Sequence, residues 1–309
     1  MKYRTLGRTG LQVSALSLGG SSLGGHFREV DESEAIRTVH QSIDLGINFV
    51  DTSPFYGQTR AETVLGKALR GVPRDKMLVA TKVGRYGPAD FNFSAAHVTA
   101  GFEASLQRLQ LDYVDVLQCH DIEFGSLDQI VEETLPALRK LQQAGKARWI
   151  GITGLPLAIF RNVVPRAEID TILSYCHYSL ADTTLLSILS MLSEKNIGVI
   201  NASALAMGLL TDRGPPAWHP ATPKMREVCA SAAEHCRARG SSIEKLAVQY
   251  SVAAPDVATT LVGTARPENI ALNAKWVEEP IDDRLLSEVK EILAPIRDQT
   301  WPMGRPENN

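Results

Sequence analysis

Four cysteines in 309 residues, with no CxxC spacing among them, are too few and too scattered to frame a small disulfide-stapled fold. Cys119, Cys176, Cys229 and Cys236 therefore read as reduced thiols of an intracellular chain. No stretch of about eighteen apolar residues occurs, which excludes a membrane-spanning helix. The opening "MKYRTLGRTGLQVS" has no apolar core of the kind a secretory leader carries, so a cytoplasmic location is expected. Neither charge dominates: 32 Lys+Arg stand against 35 Asp+Glu, a net charge of -3, which excludes a broad nucleic-acid or anionic-membrane footprint. HxxxH is missing too, and the pairs Cys119-His120 and Cys176-His177 are not a converging ligand set, so no metal is expected. What is present, 44% hydrophobic and 22% charged residues, is ordinary soluble usage at a length that buries a large core.

Short apolar runs alternate with helical patterns along the whole chain. A hairpin is expected around Gly7–Gly10. Strands follow at Ala15–Leu18 and in "INFVD", "MLVATK", "YVDVLQ", "RWIGIT", "DTILSY", "GVINAS" and "ATTLVG". Helices are expected at Glu32–Leu45, Glu62–Leu69, Ser94–Leu109, Leu127–Gln143, Leu157–Val163 and Thr184–Lys195, then Pro223–Arg239, Ile243–Ala253, Pro267–Lys275 and Arg284–Leu293. Gly46 and Gly145 sit where helix-terminating glycines belong, and Ser94 where an N-cap belongs. The strands are continuous runs, as when both faces of a parallel strand are buried. Eight βα units in one expected domain, residues 1–309, predict an α/β fold: a (β/α)8 TIM barrel with an N-terminal β-hairpin and extra C-terminal helices. The rival doubly wound sheet wants GxGxxG after its first strand, and "LGGSSLGG" lacks that spacing. "TDRGPPAWHPATP" reads as a loop over the active site.

In such a barrel the C-terminal strand ends build the site. Asp51 ends the second strand, Lys82 the third, and His120 follows the fourth, with Tyr56 in the loop after Asp51. A phenol has a pKa near 10, too high for free proton exchange at neutral pH. A neighbouring ammonium lowers it, and a carboxylate fixes that ammonium. The result is an acid/base that can take a proton from an alcohol or give one to a carbonyl, with the histidine on the same oxygen. The chain itself has no hydride carrier, so a nicotinamide cofactor is implied. Cys119, beside His120, raises the expectation of an oxidation-sensitive site.

Asp51 and Tyr56 in "FVDTSPFYG", Lys82 in "ATKVG" and His120 in "DYVDVLQCHD" resemble the tetrad of the aldo-keto reductase family, and "GKARWIGITG", "ASALAMGLL" and "LVGTARPENIALN" are similar to its later segments. The resemblance implies Tyr56 as the acid/base, Lys82 and Asp51 tuning it, and His120 orienting the substrate oxygen. It also implies cofactor contacts at Thr153, Tyr175, Ser203, Leu205, Met207 and Gly208, and after the last strand at Gly263, Thr264, Arg266, Asn269 and Asn273. Members that prefer NADP carry a lysine and an arginine where this chain has Gly263 and Asn269. A 2′-phosphate would lack both partners there, so NAD is expected, with Arg266 leaving NADP open.

The stretches "LQLDYVDVLQCHDIEFGSLDQIV", "IGITGLPL", "ILSYCHYSLAD" and "LAMGLLTDRGPPAWHP" resemble the sugar 1-dehydrogenases of that family, implying oxidation of L-galactose at C1 to its lactone. L-Fucose and D-arabinose share the ring stereochemistry. His26, Tyr86, Asp121 and Trp218 are the expected substrate contacts, with Phe27, Glu123 and His219 nearby. The expected partner is thus a small sugar, with no nucleic acid and no membrane, on a monomer or small homo-oligomer. Carbonyl reduction with NADPH is a second reading. A cofactor-sensing binding subunit is a third.

Overall fold

Strands that are apolar on both faces have no side for water, and here they close on themselves. The structure, a computed structural model, describes residues 1–25 and 29–309. An antiparallel hairpin, β1 (Tyr3–Thr5) and β2 (Gln12–Ser14), precedes eight parallel strands. These are β3 (Leu16–Gly19), β4 (Phe49–Asp51), β5 (Leu78–Val83) and β6 (Val114–Cys119), followed by β7 (Ala147–Gly154), β8 (Thr171–Tyr175), β9 (Gly198–Ala202) and β10 (Thr259–Gly263). Each pairs with the next, and β10 pairs with β3 from Thr260↔Leu16 to Gly263↔Gly19, closing a (β/α)8 TIM barrel. Val50, Val79, Leu117, Ile172 and Val262 join the layer beneath the helices, while Phe49, Ala80, Val116, Ile200 and Leu261 fill the interior.

The hairpin seals one mouth. Leu6, Leu11 and Val13 pack onto the interior residues, and Arg4 donates to the carbonyls of Val252, Ala254 and Val257 at 2.8–2.9 Å. Polar chemistry is left to the opposite, C-terminal mouth.

Helices follow the expected pattern with small shifts, except that the one expected from Thr184 starts as a 3-10 helix, Thr184–Ile188, and is α-helical only over Leu189–Glu194. Asp31, Thr222, Ser242 and Asp282 cap theirs through the side chain. Gly46 and Gly145, at φ 78° and 76°, end theirs in the left-handed conformation that glycine adopts without steric cost. Ser94 differs from expectation. It occupies the N-cap position of Ala95–Leu109, but its hydroxyl donates to Asn92, and Glu133 accepts the Ala95 N–H instead. The helix expected over Leu127–Gln143 is continuous but opens into a π turn at Ile130–Thr134. Pro136 lies just beyond it and cannot donate to the preceding turn, so the wider turn accommodates the lost bond.

A second core forms where Pro223–Ala238, Ile243–Val252 and Asp283–Leu293 pack on the turn after β9, with Trp301. The C-terminal tail then crosses to the loop after β6. Arg305 N–H donates to Glu123 O at 2.9 Å, and Asn308 Nδ2 to the carbonyls of Glu123 and Gly125 at 2.8 and 3.0 Å.

Candidate active site

Side-chain alternation aims three polar residues inward at the C-terminal mouth. Asp51, Lys82 and Gln118 stand two residues beyond Phe49, Ala80 and Val116, so they share the interior face with them. The Lys82 ammonium donates to an Asp51 carboxylate oxygen, to Thr52 O at 2.8 Å and to Tyr56 Oη at 3.2 Å. Gln118 Nε2 donates to the other Asp51 oxygen at 2.6 Å. Lys82 is 1% exposed, so this pair is fully withdrawn from water. Burial works against the Lys82 charge, yet Asp51 and Tyr56 outweigh it and hold the ammonium's pKa above its ordinary value. Burial likewise raises Asp51, opposed by Lys82.

Tyr56 corrects one expectation. Burial pushes its phenol above the ordinary value, and the opposing pull of Lys82 does not overcome it. Desolvation of the phenolate, which depends on what the fold packs around it, was not legible in the sequence.

The loop carrying Tyr56 is held by close backbone contact. Gly57, Gln58 and Thr59 are successive left-handed residues, at φ 60°, 52° and 74°. A Cβ on Gly57 would lie 2.1 Å from Gly24 O, and one on Gly24 would lie 2.7 Å from Tyr56 O. Gly57→Ala is thus expected to cost about 1–3 kcal/mol through strain and displacement. A thermal melt should show a midpoint several degrees lower, with turnover reduced alongside.

His120 is 3% exposed. Its Nδ1 pairs with Ser53 Oγ at 3.0 Å, and its ring meets Tyr56 edge-on at 5.7 Å between centroids. Its Nε2 lies 3.6 Å from Asp121 Oδ2. Asp121, at φ 48°, receives a hydrogen bond from Arg85 Nη1 at 2.5 Å and donates its N–H to Thr153 Oγ1 at 3.0 Å. Arg85 lies over the rings of Phe55, Phe91 and Phe124. Although burial tends to raise it, Asp121 stays below its ordinary value because His120 and Arg85 favour its charge.

Glu123 is fully buried, bonded to Leu155 N–H and Tyr175 Oη at 3.1 and 3.4 Å. Burial and the Asp121 charge raise it well above its ordinary value. Gln118, Ser53 and Arg85 were not singled out from the sequence. Gln118 had a usable signal, being a polar residue on the inward parity of an apolar strand, but nothing local marks Ser53 or Arg85.

Among the expected substrate contacts, Asp121 joins the site. Tyr86 does not: its ring stacks edge-on against His97, its hydroxyl is buried against Gly101, and burial raises its pKa to about 12. A turn at Gly84 (φ 98°) sends it down onto the helix. His26 and Phe27 lie outside the described residues. Trp218 is 58% exposed on the long loop. That loop is pinned by His219, whose Nε2 pairs with Ala206 O and whose Nδ1 accepts from Ala221 N–H, both at 3.0 Å. Cys119 also departs from expectation. It is fully buried and its thiol is pushed upward, so it is screened from oxidants and kept from the reactive thiolate.

The residues expected to hold a cofactor lie along the rim from β7 to β10. Ser203, Ala206, Met207 and Gly208 all have positive φ, and among the described residues the N–H groups of Ala204 and Leu205 have no acceptor. Such turns make concavities for anions. Gly263 is exposed at the end of β10, with Ser22 Oγ 3.2 Å from where its Cβ would stand. Thr264 Oγ1 accepts from Arg266 N–H, while Arg266 and Asn269 are exposed and Asn273 is buried on Pro267–Glu278.

Residues 15–294 match the model of the Aldo/keto reductase family. The chain is 52% identical over 317 aligned positions to an L-galactose dehydrogenase of Arabidopsis thaliana, covering 100% of this chain and 99% of that one. It is 32% identical to a D-arabinose 1-dehydrogenase of Saccharomyces cerevisiae, covering 78% and 75%. The fold superposes on the holo form of an aldo-keto reductase from Bacillus halodurans with a TM-score of 0.81 at 29% identity, covering 97% and 98%.

Proposed function

Because the chain belongs to the aldo/keto reductase family and is an oxidoreductase, we propose that it oxidises L-galactose at C1 to the 1,4-lactone with NAD. The observation carrying this reading is the buried Asp51–Lys82 pair, whose ammonium donates to half-buried Tyr56 beside His120 at one mouth of the barrel. Tyr56 takes the proton from the C1 hydroxyl as its hydrogen leaves carbon. Lys82 holds the developing phenolate, and Asp51, fixed by Gln118, holds Lys82. His120, oriented by Ser53, donates to the same substrate oxygen. When bound, the nicotinamide supplies the hydride acceptor. Tyr175 and the turn with Ser203, Leu205, Met207 and Gly208 would hold it, together with Gly263, Thr264, Arg266, Asn269 and Asn273.

Gly263 and Asn269 support NAD over NADP, since neither offers a cation to a 2′-phosphate. The identity to an L-galactose dehydrogenase along the whole chain supports the sugar. Initial rates with L-galactose, L-fucose, D-arabinose and D-galactose, each with NAD and NADP, test both. Fast turnover of L-galactose with NAD is expected, and Gly263→Lys should tighten NADP binding about tenfold in a fluorescence titration. Turnover of aliphatic carbonyls with NADPH, and of none of these sugars, would overturn the reading.

A further inference from the structure

Two ion pairs with buried carboxylates flank Tyr56 and His120, and the chemistry above uses only Asp51–Lys82. The other, Asp121–Arg85, is equally deliberate in its construction. Asp121 adopts a left-handed backbone that a non-glycine residue rarely takes, and its N–H is tied to Thr153. Arg85 reaches it from the loop after β5 while lying 4.0 Å over the ring of Phe55, on the loop that carries Tyr56. Three loops are therefore locked around one carboxylate, which cannot swing away. That carboxylate stands 3.6 Å from His120 Nε2, too far for a good hydrogen bond.

We propose that Asp121, held by Arg85, accepts a hydrogen bond from the hydroxyl on the carbon next to the reacting one, and so makes a 2-hydroxyl a requirement for the substrate. The spacing carries this. Oxygens on adjacent sugar carbons lie about a hydrogen-bond length apart, so an oxygen on His120 Nε2 brings its neighbour to Asp121 Oδ2. A carboxylate only accepts, so it selects a donor there: a hydroxyl, and not hydrogen, an ether or a carbonyl. A substrate lacking that hydroxyl would displace water from a buried charge and return nothing. Asp121 is here a specificity residue and Arg85 a positioning residue.

The inference rests on the proposed oxidation at C1, and the test separates the two. D-Arabinose and 2-deoxy-D-ribose differ only by the 2-hydroxyl, as do L-fucose and 2-deoxy-L-fucose. The wild-type enzyme is expected to favour the hydroxylated member of each pair by about a hundredfold or more in kcat/KM. Asp121→Asn and Arg85→Met should narrow that ratio to about tenfold or less, mainly by slowing the hydroxylated sugar, with Arg85→Lys in between. Equal use of both members by the wild type would overturn the inference without any variant having to fold, leaving C1 oxidation standing. Folded variants that keep the wild-type ratio would overturn the assignment to this pair. Oxidation of no sugar would overturn both readings.

Discussion

Tyr56→Phe should lower kcat for sugar oxidation by about 10³–10⁴-fold while leaving cofactor binding within a factor of two or so, read by quenching of tryptophan fluorescence. The substitution removes one oxygen from a site where that oxygen already accepts from Lys82 at 3.2 Å, so packing is conserved and only proton transfer is lost. The raised phenol gives the pH dependence its sign. Oxidation needs Tyr56 to accept a proton, and at neutral pH the phenolate is the scarce form. The log of the oxidation rate should therefore climb with a slope of about one per pH unit from neutrality into the alkaline range. The reverse reduction needs the phenol, which is fully present throughout, so its rate should stay flat over the same window. Normal turnover in the Phe variant, or a flat oxidation profile, would remove Tyr56 from the acid/base role.

Lys82→Met should abolish detectable turnover and also destabilise the fold by about 3–5 kcal/mol, because it leaves the Asp51 carboxylate buried without its cation. Gln118 still donates to Asp51, but a neutral amide does not replace an ammonium. The double variant Asp51→Asn/Lys82→Met removes both charges and should recover most of the stability while staying inactive. Denaturant midpoints read the first effect and initial rates the second. Full activity in either variant would mean that the pair is structural. Loss of stability persisting in the double variant would mean that the site depends on these side chains for more than charge balance.

The strand ends were legible because local rules place them. Apolar runs marked both-face burial, position at the C-terminal end of a strand marked Asp51 and Lys82, and glycines at 46 and 145 marked the helix ends. The loops obey no comparable rule. Tyr86 was read as a substrate contact, yet the turn at Gly84 sends it onto Gly101, and its neighbour Arg85, unmarked in sequence, goes to Asp121 instead. Gln118 carried a parity signal, but its role shows only once its partner Asp51, two strands away, is in place.

Composition, periodicity and the order of four residues determined by themselves that this chain makes a closed parallel barrel with Asp51, Tyr56, Lys82 and His120 at one end. Those features depend on neighbours close in sequence or on strict alternation. Only the tertiary structure decided that Tyr56 is held protonated, that Thr153 and Arg85 pin Asp121 beside His120, and that Glu123 is roofed by the C-terminal tail. Each of these depends on desolvation or on contacts between segments far apart in the chain, and neither is encoded in any local stretch.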